Sequence, residues 1–192
     1  LQSKDAQFNF NGGNMQVAQE VVGRKVDTEL LKKRIEENIE VLGNIEIPVE
    51  EIQPNMTSAL LGRINKVIGQ FSTSFKTSSA DRKENIKVSS KSINGQLILP
   101  GETASFNDMT GPRTKEFIPG VGGGVCQMST TLYNALIRAD LTIVQRSPHS
   151  IPSTYVPYGQ DAAVSYGHLD LKFRNDFDFP IYINSFVKGY RR

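Results

Sequence analysis

The chain holds one cysteine, Cys126, directly after the glycines Gly122, Gly123 and Gly124, where residue spacing predicts a helix from about Cys126 to Arg138. A lone thiol cannot close an internal disulfide, so it is inert and buried, paired with another chain, or reactive. At a helix start, free backbone N–H groups and the positive end of the macrodipole favour the thiolate, the form that attacks a carbonyl. The N–H of Cys126 and one from Gly123 or Gly124 are natural donors to an oxyanion, and the Gln127 side-chain amide stands beside them. Glycine also lets the backbone come close to a substrate. The competing reading makes Cys126 a small buried hydrophobe where a tight loop meets a helix.

A nucleophilic cysteine needs a base. His149 follows a predicted strand, Leu141–Val144, which the helix enters through the short link Ala139-Asp140, so the chain can return His149 toward Cys126 with a ring nitrogen at the sulfur. The other histidine, His168, sits in Gly167-His168-Leu169-Asp170, which reads as a turn into a strand. A third group should fix the imidazole tautomer; Asp161, Asp170 and a backbone carbonyl are all open choices. Either aspartate is as well explained as a carboxylate capping backbone N–H groups. Arg113 and Arg146 are candidates for gripping a substrate carboxylate with two hydrogen bonds, or for structural ion pairs. Ser129, Thr130 and Thr131 lie in the first turns of the helix, where hydroxyls cap backbone groups, and Tyr133 reads as core.

Two histidines and one cysteine cannot furnish the four Cys or His ligands of a structural zinc site. No His-Glu-x-x-His helix or Walker-type loop occurs, so no metal or other cofactor is expected.

The elements that position these groups follow from pattern. Phe8–Phe10 and Met15–Val17, split by Asn11-Gly12-Gly13-Asn14, read as a hairpin. Asp27 is the expected N-cap of a helix from Thr28 to about Leu42, stopped by Gly43-Asn44, and Ile45–Val49 alternates like a strand. These form a small N-terminal unit over residues 1–53. Residues 54–70 read as a connector with a short helix, 59–68. Beyond it come a helix from Asp81 through Ile93, a strand at Gln96–Leu99 and the cysteine helix. Strands follow at Leu141–Val144, Tyr155–Val156, Ala162–Tyr166, Leu169–Phe173 and Ile181–Phe186. The expected class is α+β, with the Cys-bearing helix packed on a mostly antiparallel sheet and a small N-terminal α+β module ahead of it.

With 38% hydrophobic residues the chain can bury a core. Its 22 Lys and Arg against 20 Asp and Glu leave no concentrated basic stripe, so nucleic acid is not an expected partner. No run approaches the roughly 18 consecutive apolar residues of a membrane span. The sequence opens abruptly at Leu1 without a signal peptide; a membrane anchor would lie upstream.

Beyond these patterns, an ordered set of motifs resembles the VanW-like domain family over residues 71–187. It comprises Phe71-Ser72-Thr73, Asn94-Gly95, Leu99-Pro100-Gly101-Glu102, Ser105-Phe106-Asn107 and Gly111-Pro112-Arg113-Thr114. The most specific block is Gly122-Gly123-Gly124-Val125-Cys126-Gln127-Met128-Ser129-Thr130-Thr131-Leu132-Tyr133. Arg146–Ser150, Tyr155–Ala162 and Asp170–Asn175 complete the order. Val22-Gly23 and Val26-Asp27, ahead of a helix, resemble the peptidoglycan-binding module that often precedes this domain. Two departures stand out. The resemblance predicts a longer stretch between Thr114 and Gly122, with Lys115-Glu116-Phe117 and Ile118-Pro119-Gly120 reading as its broken ends. Gln145 stands where the family often has Glu.

The resemblance implies an extracytoplasmic protein at a Gram-positive-type cell wall, acting on peptidoglycan stem peptides. The implied activity is that of an L,D-transpeptidase forming cross-links between third-position diamino acids through a thioester on Cys126. It favours His149 as base and Asp161 as orienting group. The alternatives are an L,D-carboxypeptidase, or a non-catalytic peptidoglycan-binding or glycopeptide-resistance accessory module. Oligomeric state is not legible.

Overall fold

Phe8 and Phe10 face Val17 and Met15 across an antiparallel ladder, β1 (Gln7–Asn11) with β2 (Asn14–Ala18), in the register Gln7↔Ala18 to Asn11↔Asn14. The computed structural model describes residues 1–11, 14–38, 44–112, 117 and 123–189. Gly12 and Gly13 of the hairpin turn, the expected helix end at Leu42 and Gly43, and the shortened stretch 115–121 apart from Phe117 lie outside the described residues. The chain divides into two compact units, Leu1–Arg63 and Ile64–Arg192.

In the first unit a second antiparallel pair follows, β3 (Gly23–Val26) with β4 (Val49–Ile52). Between them runs α1 (Thr28–Glu37), where Asp27 accepts the Leu30 N–H at 2.9 Å as N-cap. The strand expected from Ile45 starts only at Val49, since Pro48 has no N–H for a ladder. The Pro48 carbonyl instead accepts the Asp27 N–H at 3.0 Å. The expected connector helix is one turn, α2 (Ser58–Leu61), capped by Thr57 and tied to Glu20 through the Ser58 N–H at 2.8 Å. Its Leu61 is fully buried, and the first unit continues through Arg63.

The second unit opens with α3 (Ala80–Ile93), capped by the Ser79 hydroxyl, then β5 (Leu97–Ile98), β6 (Thr103–Ser105) and α4 (Phe106–Thr110). The cysteine helix α5 (Val125–Arg138) leads through Ala139-Asp140 into β7 (Thr142–Gln145), then β8 (Lys172–Arg174) and β9 (Ile181–Tyr182). Asp140 takes the left-handed φ of 59° that the tight turn needs. β8 lies between β6 and β7, antiparallel to both, and β5 pairs antiparallel with β9. This is the α+β arrangement with antiparallel sheets. Leu132 and Leu136 of α5 pack on Phe106, Leu171, Phe173, Ile93, Ile98 and Ile181. Phe106 and Phe173 are wholly enclosed, the kind of side chain whose truncation to Ala costs about 3–5 kcal/mol.

The β-rich half is less regular than its composition predicts. Tyr155-Val156 forms no strand, and 162–169 contributes only bridges, Ser147↔Ala163 and Ser165↔Leu169. The pairing of β7 with β8 shifts register between Ile143 and Gln145. Such an irregularity turns the chain out of the sheet, and here it releases Arg146–His149 toward Asp161.

Candidate active site

Cys126 is the second residue of α5, half-buried against the core. The N-cap is Gly124, which has no side chain to accept the helix's first N–H groups. Its φ of +108° is a backbone conformation L side chains rarely adopt, and a Cβ there would meet the Arg82 carbonyl oxygen at 2.7 Å. Gly124 therefore lets α5 pack closely on α3, a role beside the close approach to substrate that the sequence suggested. Gly123 accepts a hydrogen bond from the Asn85 amide at 3.3 Å, and Gly122 lies outside the described residues.

Side chains along α5 fasten it to the segment 160–164. Asn134 donates to Gln160 O at 2.7 Å, and Ser129 to Ala162 O at 2.6 Å. Thr130 accepts the Ala162 N–H at 2.9 Å, and the Cys126 thiol donates to Val164 O at 3.4 Å. The opposite edge of the same segment holds the other groups. Ala163 N–H donates to Ser147 O at 2.8 Å, and Arg146 Nε to Asp161 O at 2.6 Å. An extended chain alternates its hydrogen-bonding groups in this way, so α5 and Arg146–His149 flank it on opposite edges. Among the described residues no hydrogen bond joins the thiol to His149.

Asp161 gathers that far edge. It is buried, and its Oδ2 accepts both the His149 backbone N–H at 2.6 Å and the ring Nδ1 at 2.5 Å. Its Oδ1 accepts Arg146 Nη2 at 3.0 Å. Burial alone pushes its carboxyl up, but the hydrogen bonds and charge of His149 outweigh that and hold it below the ordinary 3.8. An ionised carboxylate only accepts, so Nδ1 carries a proton, and in the neutral imidazole Nε2 is then the acceptor.

Arg146 also donates to Gly159 O at 2.9 Å and lies 5.4 Å from the Tyr133 ring centroid, so its donors fix the Asp161 loop. Gln127 is buried: Oε1 accepts Arg82 Nη2 at 2.8 Å, and Nε2 donates to Thr73 and Ser74, both at 3.1 Å. That amide is committed to holding the chain together and has no N–H left for an oxyanion. Asp170 accepts Ser105 Oγ at 2.6 Å and the N–H groups of Asn107 and Leu171, which makes it a cap at the start of α4. His168 is exposed in the Ser165–Leu169 turn. Arg113 lies outside the described residues.

Two further side chains, Tyr155 and Arg82, meet beside α5, and nothing in the sequence marked either as a site residue. Burial holds the Tyr155 phenol above its ordinary range, and Thr130, Cys126 and Arg82 all act on it. Arg82, reaching from α3, lies 5.7 Å from the Tyr155 ring centroid. Among the described residues no cluster of His, Cys, Asp and Glu could hold a metal ion, and no helix is long and apolar enough to cross a membrane.

The family described as VanW like protein matches residues 81–191, and one described as "putative peptidoglycan binding domain" matches residues 1–47. An uncharacterized Bacillus subtilis (strain 168) protein, YoaR, is 42% identical over 155 residues, which cover 73% of this chain and 51% of YoaR. The vancomycin B-type resistance protein VanW of Enterococcus faecalis (strain ATCC 700802 / V583) is 38% identical over 112 residues, covering 49% of this chain and 41% of its own length. The chain spans about half the length of these curated relatives. No solved structure matches it significantly.

Proposed function

The chain belongs to the VanW-like protein family, and from that premise we propose that its second unit is a cysteine-dependent L,D-transpeptidase of the cell wall. A VanW-like domain following a match to a peptidoglycan-binding domain supports a cell-wall role with peptidoglycan as the partner.

The observation that carries the reading is the seating of a thiol and an oriented imidazole along one short segment. Cys126 is bonded to Val164 and His149 to Asp161. In the reaction the Cys126–Val164 bond breaks and the thiol proton reaches Nε2 of His149 through one bridging water, because the two side chains sit on opposite edges of the segment. The thiolate attacks the carbonyl between a third-position diamino acid and D-Ala. Backbone N–H groups in the uncapped first turn of α5 face the oxyanion. His149 returns the proton to the departing D-Ala amine as the C–N bond breaks, leaving a thioester on Cys126. A side-chain amine of a neighbouring stem peptide then attacks the thioester, loses its proton to His149 and restores the thiol. If water attacks instead, the product is that of an L,D-carboxypeptidase.

One observation favours a second reading. The thiol packs against the core and donates to a main-chain carbonyl, as an architectural cysteine would, and the protein would then only bind the wall. Incubation with purified disaccharide tetrapeptides separates the readings. The transpeptidase reading expects cross-linked dimers and a Cys126 adduct of the donor's mass minus D-Ala. Binding to sacculi with no conversion and no adduct would overturn it in favour of the binding module.

A further inference from the structure

Arg82 is half-buried, and among the described residues it pairs with no carboxylate. Of the five N–H donors a guanidinium carries, Nη2 serves Gln127 Oε1 at 2.8 Å. The group is nevertheless held in place. It leans on the Tyr155 ring and lies so close to Gly123 that a Cβ there would meet Nη1 at 2.6 Å. It is tied directly to Gln127, the residue after Cys126. Taking a guanidinium partly out of water without a counter-charge is costly, and an arginine so placed suits an incoming carboxylate, which it can bind with paired hydrogen bonds. Arg146 is not equivalent, because its donors already hold Asp161 and Gly159.

We propose that Arg82 binds the free α-carboxylate of the acyl donor's terminal residue, and so restricts the reaction to stem peptides ending one residue beyond the scissile carbonyl. This rests on the reading of Cys126 as nucleophile. The leaving residue's carboxylate lies only a few covalent bonds from the carbonyl under attack, so its receptor must stand beside the sulfur. An internal peptide bond presents an amide at that position, and a pentapeptide stem carries its carboxylate one residue too far.

The test uses the full chain and two donors, a disaccharide tetrapeptide with a free D-Ala carboxylate and the same molecule as its C-terminal amide. Wild-type protein should favour the free acid by about 10- to 100-fold in kcat/KM, the scale of a charge-assisted pair. Arg82→Gln should abolish the preference, lowering turnover of the acid far more than that of the amide, and Arg82→Lys should restore part of it. Calorimetric binding of both donors to Cys126→Ala, with and without Arg82→Gln, reads the same preference without turnover. If Arg82→Gln depresses acid and amide alike, or wild-type protein shows no preference in either arm, the inference is overturned. If Cys126→Ala shows Arg82-dependent preference while wild-type protein converts neither donor, the Arg82 assignment stands and the transpeptidase reading falls.

Discussion

A single oxygen of Asp161, Oδ2, accepts both the backbone N–H and the ring Nδ1–H of His149. One atom therefore fixes where the histidine backbone sits and which ring nitrogen keeps the proton. Arg146 holds the carboxylate from its other side at 3.0 Å.

Replacing Asp161 with Asn keeps the shape and removes the charge that enforces the tautomer. Asp161→Asn should lower kcat roughly 10²- to 10⁴-fold, the range of a lost or misoriented general base. His149→Ala should fall in the same range, while His168→Ala retains activity. Equal losses in His149→Ala and His168→Ala would remove the base assignment.

The same pair sets an acid limit on stability. Asp161 is held below its ordinary 3.8 when folded, so its contribution is present above the unfolded value and lost as pH falls through the folded one. Thermal melts of wild-type protein should decline as pH drops below about 4, and the wild-type advantage over Asp161→Asn should narrow there. Parallel melting curves for the two proteins would contradict this.

Gly124 and Gly159 both have positive φ, but only Gly124 faces packed backbone. Gly124→Ala should cost roughly 3 kcal/mol or more, combining backbone strain with overpacking. Gly159→Ala, with open space around its Cβ position, should cost about 1 kcal/mol. Urea unfolding of the two variants reads the difference directly.

Asp170 is buried beneath three donors that lose their acceptor when it is truncated. Asp170→Ala should destabilise by about 3 kcal/mol, with conversion per folded molecule unchanged. A specific loss of turnover without loss of stability would reassign it to the reaction.

The extent of α5 was legible in the sequence, expected from about Cys126 to Arg138 and found at Val125–Arg138, because the glycine run marks its start. The strand expected at Ala162–Tyr166 is not a regular one, since α5 side chains and two isolated bridges hold this stretch in place of a full ladder. Ser129 and Thr130 read as capping hydroxyls, and nothing in their spacing tells that their partner is Ala162. Arg82 and Tyr155 come to α5 from α3 and from a proline-flanked bend. Their juxtaposition exists only after folding.

The central claim, that Cys126 carries the acyl group, is tested most directly by conversion of purified muropeptides by Cys126→Ala beside wild-type protein. The substitution removes only a sulfur and should leave the melting temperature close to that of wild type. Cross-linked dimer formation should drop to background, and Cys126→Ser should be nearly as inactive because its hydroxyl stays protonated at neutral pH. Cross-linking by folded Cys126→Ala at the wild-type rate would contradict the account.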